Sequence, residues 1–426
     1  MAGGMRIWAA AMLMASASPL AAETVYVHAG SIVDVDAGRV LKDQRIRIDD
    51  GRIVEVAAWA APPAGATVVD WSTRQVLPGL IDMHTHIADF GQTSNVAEPL
   101  MRSPQEITLV GVDNARKTLH AGFTSVHDVG CFRGLTDVAL RNAINAGVIE
   151  GPRMNVVGAY ITVPGGGGEV TGFAPDVQIP ADMRIGVVTG PEDAKLKVRY
   201  LFQHGVDSIK LIATGAVLAL GTEPGRLELT PEEIKAAVDE AAQNGGYVTA
   251  HAHGADGIRA AINAGVRSIE HASLIDDAGI ALAKQKGVWL VMDVYNGDYI
   301  EEMGRKEGWP ADYLRKNRET TDVQRAQFAK AVKAGVKIAY GTDSGVYPHG
   351  FNGRQFAYMV RNGMTPMQAI QAATTSAAHL LRWEKDVGSI AVGRYGDLVA
   401  VDGDATQDVR LLENVAGVIK GGVVVK

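Results

Sequence analysis

Between residues 79 and 384, short apolar runs alternate with stretches of helical period, and this alternation constrains the fold more than any other feature of the chain. The runs are 79–87, 123–130, 153–161, 208–215, 247–254, 268–272, 288–294 and 337–344, each the length of a buried strand. Between them lie segments such as PEEIKAAVDEAAQN, which opens on Thr230-Pro231 with Glu233 three positions after Thr230. That order supplies an N-cap, a proline at the first helical position and a capping-box partner. Glycines at 122, 265 and 335 stop helices just before the next strand. Eight strand–helix units predict an α/β chain built as a closed (β/α)8 TIM barrel. An open doubly wound sheet is the alternative, but it usually carries a phosphate-binding glycine fingerprint after its first strand. The only dense glycine run, Gly165–Gly168, follows the third strand without that spacing and reads as a mobile loop.

The two ends read differently. Residues 23–78 and 385–426 are short and alternating, with Asp50-Gly51 and Gly421-Gly422 as hairpin turns. They predict one small β-sandwich assembled from both ends around a barrel spanning 79–384. Residues 1–22 have one charge, Arg6, then a short apolar run and small residues, the order of a secretory signal peptide. The apolar run is shorter than the ~20 residues that span a bilayer. The expectation is cleavage after Ala22 and an exported protein, periplasmic or secreted, without a membrane anchor.

Composition removes several functions. A net charge of −7 and 6% aromatic residues argue against nucleic-acid binding, which needs a basic face and stacking platforms. A single cysteine, Cys131, excludes an internal disulfide framework and a thiolate metal cluster, and it reads as a small packing residue.

What remains is the placement of the histidines. His84 and His86 end the first predicted strand, His127 the second, His251 and His253 the fifth, and His271 the sixth; Lys210 lies in the fourth and Asp343 ends the eighth. In a barrel, C-terminal strand ends form one rim, so these residues converge. Residues two apart on a strand share a face, which sends His84 and His86 into the same mouth. A lone buried histidine is ordinarily a packed core residue, and His28, His120, His204, His349 and His379 are assigned to packing or surface. Lys210 is harder to dismiss, because an ammonium in an apolar strand is costly unless it is paired or loses its proton. A neutral lysine amine can take up CO2 to give a carbamate, and two cations beside that anion would explain its burial.

Taken together, the H84-T-H86 pair, Lys210, His251, His271 and Asp343, with PGLIDMHTH, IEHA, GTDSG and the terminal GSIAVGRYGDLVAVDGD, resemble the amidohydrolase superfamily with a binuclear metal centre. The resemblance covers nearly the whole chain beyond residue 22. It implies one divalent ion on His84, His86 and Asp343, a second on His251 and His271, and N6-carboxylysine at Lys210, formed with CO2, bridging them. All-nitrogen and oxygen ligation suits Zn2+. It further implies a hydroxide shared by the two metals as nucleophile and Asp343 as proton carrier; His127 and Tyr160, at the ends of the second and third predicted strands, are candidate oxyanion stabilisers, with Tyr160 as a pocket wall the alternative.

The markers VHDVG, SIKLIATGAVL, VTAHAHG and SIEHASLID are similar to the metal-dependent carboxypeptidase and Xaa-Pro dipeptidase subgroup, and within it to bacterial ochratoxin-degrading amidohydrolases. That resemblance implies a small-molecule amide or dipeptide substrate with a hydrophobic C-terminal residue, including ochratoxin A, and a homo-oligomer, with an octamer among the assemblies it allows. His253 and Arg226 are the candidates to meet the substrate carboxylate. Long segments at 161–191, 214–229 and 295–320 would shape specificity; the third reads equally well as solvated helical caps or oligomer contacts. The alternatives are a prolidase, a cyclic-amide hydrolase, a mononuclear deaminase-type enzyme, which would lack the bridging lysine, and a catalytically inert scaffold, which would lack ligands.

Overall fold

The computed structural model describes residues 24–426; the expected signal peptide lies outside the described residues. Among the described residues no helix is long and apolar enough to cross a membrane.

The chain begins with β1 (Thr24–Asp34), β2 (Arg39–Asp49), β3 (Arg52–Ala58) and β4 (Thr67–Pro78). Asp50 and Gly51 both take positive φ, 48° and 76°, and turn β2 into antiparallel β3 through an Asp-Gly pair suited to that geometry. The parallel strands follow: β5 (Leu80–Thr85), β6 (Phe123–Asp128), β7 (Arg153–Val156), β8 (Tyr160–Ile161), β9 (Ile209–Ile212), β10 (Val248–Ala252), β11 (Ser268–His271), β12 (Trp289–Val291) and β13 (Ile338–Ala339). The C-terminal end supplies β14 (Leu398–Val401), β15 (Gly417–Lys420) and β16 (Val423–Val424). Strands from both ends join one seven-stranded sheet in the order β16-β15-β14-β4-β1-β2-β3. One apolar cluster serves it, with Val27, Ile46, Ile48, Trp71, Leu398 and Ile419 packed together.

The parallel strands form two ladders, β5-β6-β7 and β8-β9-β10-β11-β12-β13. Main-chain bonds run between their ends. Asp207 N–H donates to Val156 O at 2.8 Å, Met83 N–H to Tyr340 O at 2.9 Å, and His86 N–H to Ser344 O at 2.8 Å. The helix Pro231–Gln243 carries the expected capping box, with Glu233 N–H donating to Thr230 Oγ1 at 3.2 Å and Thr230 N–H to Glu233 Oε2 at 2.8 Å.

Two expectations change. The run 153–161 is not one strand: β7 pairs with β6, β8 pairs with β9, and the chain breaks at Gly158, whose φ is +77°. The main-chain N–H groups freed there, of Val157 and Gly158, donate to the buried Asp137 carboxylate at 3.2 and 2.8 Å, so the interruption is satisfied rather than frayed. The glycine run is also pinned. Gly165 N–H donates to Glu169, Gly167 N–H to Glu228 and Gly168 N–H to Thr162, while Ala216 and Ile212 leave no room for a side chain at Gly167 or Gly168.

An alanine Cβ at Gly158 would stand 2.7 Å from Val206 Cγ1 and 2.9 Å from Leu135 Cδ2, on a backbone that L-residues disfavour. Gly158→Ala is expected to destabilise the fold by about 1–3 kcal/mol in urea unfolding, and an unchanged midpoint would refute the steric reading.

Candidate metal centre

The side chains that end the parallel strands meet in a cavity of about 210 Å3. Register explains how Lys210 reaches it. Lys210 lies level with Thr249 in the β9–β10 ladder, one same-face position below His251, whose partner is Ile212. From that position its side chain lines the same cavity as His251. There the side chain is 1% exposed, and Nζ has no hydrogen-bond partner. Burial pulls the Lys210 pKa below the ordinary lysine value, against the opposing pull of Glu270, Asp343 and Asp293. A buried amine held toward its neutral form, facing carboxylates and donating to none, fits the carbamate expected of it.

Three overlapping groups of possible ligand atoms line the cavity with it, one of them His271, Asp293 and Asp343. His84, His86 and Asp343 lie within 4.8 Å of one another, and Asp343 Oδ1 is 3.2 Å from both Nε2 atoms. His251, His253 and His271 form the second set, and the His84 and His271 ring centroids stand 4.8 Å apart, placing the two sets side by side. In each proposed ligand one nitrogen is already engaged, which leaves the other for an ion. His84 Nδ1 is held by Glu270 at 2.8 Å, His86 Nδ1 by the Gly130 carbonyl at 2.8 Å, His271 Nδ1 by Asp293 at 3.0 Å and His251 Nε2 by the Gly215 carbonyl at 3.3 Å. Burial forces the His251 pKa well below the ordinary imidazole value, so the ring is the neutral form that binds cations. These donors, nitrogen and oxygen without sulfur, suit a hard or borderline divalent ion.

The backbone is strained at the same place. His271 and Asp343 adopt φ of +67° and +58°, and Ala272 +49°. Non-glycine residues in that region cost on the order of 1–3 kcal/mol and cluster at functional sites. The strain is held by main-chain bonds, Asp343 N–H to His84 O at 2.8 Å and Ala272 N–H to Ala252 O at 3.1 Å.

Sequence reasoning missed Glu270 and Asp293. Glu270 is fully buried, with donors from His84, Thr249 and Ser268. Burial pushes its carboxyl up, but the His84 hydrogen bond and charge outweigh this and bring its pKa down to about 2. The signal was present: an acid between Ile269 and His271 in a short apolar strand needs a partner. Asp293, just past β12, accepts from His271 and from Gln324 Nε2 at 2.9 Å. His349, assigned by sequence to packing, hydrogen-bonds the main-chain carbonyl of His86 through Nε2 at 3.2 Å.

The remaining expected residues divide. Tyr160 lines the cavity with its hydroxyl 3.2 Å from His86 Nδ1. Its ring covers Gly130, where φ is +124° and a Cβ would stand 2.4 Å from the ring edge. His253 also lines the cavity; its Nδ1 is 2.8 Å from Ser273 Oγ, and burial with the His271 charge pushes its pKa down to about 3. His127 is not brought to the cavity. It is buried and not among the lining residues, its Nε2 lies 3.0 Å from Ser208 Oγ, and burial lowers its pKa to about 3. Arg226 is likewise outside: its side chain is exposed and its main chain closes the 214–229 loop on Glu223 and Gly215. The segment 295–320 is helical, as Asn296–Glu307 and the start of Ala311–Ala334, and it contributes Ile300, Tyr313 and Asn317 to the cavity wall rather than serving only as a solvated cap. Cys131 is buried and burial raises its thiol pKa, in keeping with a packing role.

Comparison with known proteins agrees with this geometry. Residues 75–425 match the sequence profile described as the amidohydrolase family. Ochratoxinase from Aspergillus niger is 30% identical, over 95% of this chain and 87% of its own length. A Xaa-Pro dipeptidase crystal structure with bound methionine superposes with a TM-score of 0.88 at 36% identity, covering 94% of this chain and 99% of that one. The crystal structure of A. niger ochratoxinase gives 0.82 at 28% identity, covering 95% and 96%.

Because Glu270 orients His84, Glu270→Gln is expected to weaken metal uptake by about 10–100-fold in a chelator-competition titration, and unaltered affinity would show that the buried carboxylate is dispensable.

Proposed function

The chain belongs to the amidohydrolase family, and from that premise we infer that it is a metal-dependent amide hydrolase of N-acyl amino acids or dipeptides whose C-terminal residue is hydrophobic, ochratoxin A among them. The carrying observation is the partnerless Lys210 amine in one cavity with the clustered histidines and Asp343. In this reading His84, His86 and Asp343 would hold one ion and His251 and His271 the other, with Lys210, once carboxylated, as a shared ligand, and Zn2+ would suit these donors. When bound, such a pair of ions lowers the pKa of a water and polarises the carbonyl to be attacked.

The protein's own groups do the rest. Asp343 accepts the proton from the nucleophile and delivers it to the departing amine. Burial raises the Tyr160 pKa well above that of a free phenol, so its hydroxyl stays an O–H donor for the developing oxyanion. Phe90, Phe132, Val217, Leu218, Ile300 and Val346 give the cavity an apolar wall for a hydrophobic side chain. Lys210 is the one lysine or arginine among the lining residues, so the substrate carboxylate is left to neutral donors. His253, with Nδ1 engaged by Ser273, offers Nε2 for it.

We further read the two parallel ladders as one closed (β/α)8 barrel over 79–384, the bonds Met83–Tyr340 and Asp207–Val156 supporting closure. The seven-stranded sheet would be the β-sandwich of 23–78 and 385–426, and residues 1–22 would direct export and then be removed. A second substrate reading, Xaa-Pro dipeptidase, is favoured by the 36% identity to that crystal structure.

The deciding experiment is a panel of N-acyl amino acids and dipeptides varied at the C-terminal residue. Faster turnover of Phe- or Leu-terminated amides than of Xaa-Pro supports the first reading, the reverse order supports the second, and no hydrolysis of either removes both. Asp343→Asn should lower kcat by on the order of 100-fold or more with the fold intact. Near-full turnover by that variant would contradict the proton-carrier role.

A further inference from the structure

Asp293 and Asp343 are two buried carboxylates just beyond the ends of the paired strands β12 and β13. One side chain stands between them. Asn296 Nδ2 is 3.1 Å from Asp293 Oδ2 and 2.8 Å from Asp343 Oδ2. A primary amide nitrogen carries two hydrogens, so a single neutral atom can donate to both acids at once. Among the standard side chains of that length, Asp would add a third negative charge, Ser would offer one hydrogen, and Leu none.

The result is a continuous path across the site. His271 Nδ1 bonds Asp293 Oδ1 at 3.0 Å, Asp293 Oδ2 accepts from Asn296, Asn296 donates to Asp343 Oδ2, and Asp343 Oδ1 lies 3.2 Å from His84 and His86 Nε2. The path therefore joins His271 of one set to Asp343 of the other.

The surroundings hold this segment from several directions. Asn296 N–H donates to Asp293 O at 3.1 Å, Arg325 Nε donates to Val294 O at 3.1 Å, and Tyr295 N–H donates to Gln355 Oε1 at 2.9 Å. Asn317 Nδ2 donates to Gly297 O at 2.9 Å, and Thr321 packs where a Cβ at 297 would lie. Asn296 is 3% exposed and lines the cavity. These bonds fix the main chain on both sides of Asn296 and so the point from which its buried amide reaches the two carboxylates.

The geometry points to Asn296 as a positioning residue that sets the orientation of Asp343 and registers the two halves of the metal centre through Asp293. This rests on the binuclear reading given above. Asn296 touches no reacting atom in this account; it acts through Asp343 and Asp293.

The test uses the full chain stripped of metal and titrated with Zn2+ against a chromophoric chelator, beside steady-state kinetics on a hydrolysed amide and thermal unfolding of the metal-free protein. For Asn296→Ala the expected result is about 10–100-fold weaker uptake and a kcat lower by about 10-fold or more, with KM within twofold and the metal-free Tm within a few degrees. Asn296→Ser, which keeps one donor, should fall between Ala and the parent in both affinity and kcat, and it serves where Ala fails to fold. Wild-type affinity and kcat in Asn296→Ala would overturn the proposal, as would losses that track a fall in the metal-free Tm, since that is a structural role alone. Absence of Zn2+ uptake by the unsubstituted protein would overturn the binuclear reading and this inference with it. Two-ion uptake by that protein with an indifferent Asn296→Ala overturns the positioning role only.

Discussion

The site depends on an amine that the fold has taken out of water without giving it a partner. Lys210 lies at the level of Thr249 in the ladder, and its stem lifts Nζ among Glu270, Asp293 and Asp343. An ammonium so placed would be expected to bond one of those carboxylates, because an unpaired buried charge costs several kcal/mol. It bonds none. Burial instead favours the neutral amine, which is the form that reacts with CO2, and the histidines of the same cavity are clustered for cations. Burial, the missing partner and the clustered ligand atoms are thus one arrangement seen from three sides.

Around that amine the structure holds the candidate ligands by their far sides. Glu270 holds His84 and Asp293 holds His271, while main-chain carbonyls hold His86 and His251. Each of these bonds fixes a ring's orientation and the nitrogen it presents. Asp82 does the same for the main chain, accepting from His84 N–H and Thr342 N–H, both at 3.1 Å, and so tying the first predicted strand of the site to the eighth. The left-handed conformations at His271 and Asp343 are affordable because these bonds over-determine the local path. The wall beyond the ligands comes from different material: the 214–229 loop is clamped to the helix Ala311–Ala334 by the buried Lys316, which donates to Ala219 O at 2.6 Å and pairs with Asp312 at 2.7 Å. A rigid wall of this kind is suited to selecting substrates by shape.

Much of this was legible one residue at a time. The hairpin turns at Asp50-Gly51 and Gly421-Gly422, the capping box at Thr230 and the histidine pair at 84 and 86 rest on local rules, and the coordinates carry them. The break at Gly158 was not legible, since a glycine inside an apolar run reads equally as strand until Asp137, far along the chain, accepts the freed N–H groups. Nor did the sequence show that His127 would contact Ser208, a partner 81 positions away, rather than line the cavity. Arg226 failed because proximity in sequence to an apolar loop says nothing of which way an exposed side chain turns.

Alternation of strand and helix, with Lys, His and Asp placed at strand ends, was determined by the sequence alone, because those patterns follow from periods of 2 and 3.6 residues and from the cost of burying charge. The tertiary structure decided which second atoms hold the ligands in place: Glu270 on His84, Asp293 on His271, and Asn296 between two acids. Hydrogen-bond partners from separate strands and helices are set by three-dimensional register, and register between distant segments is written in no local pattern of residues.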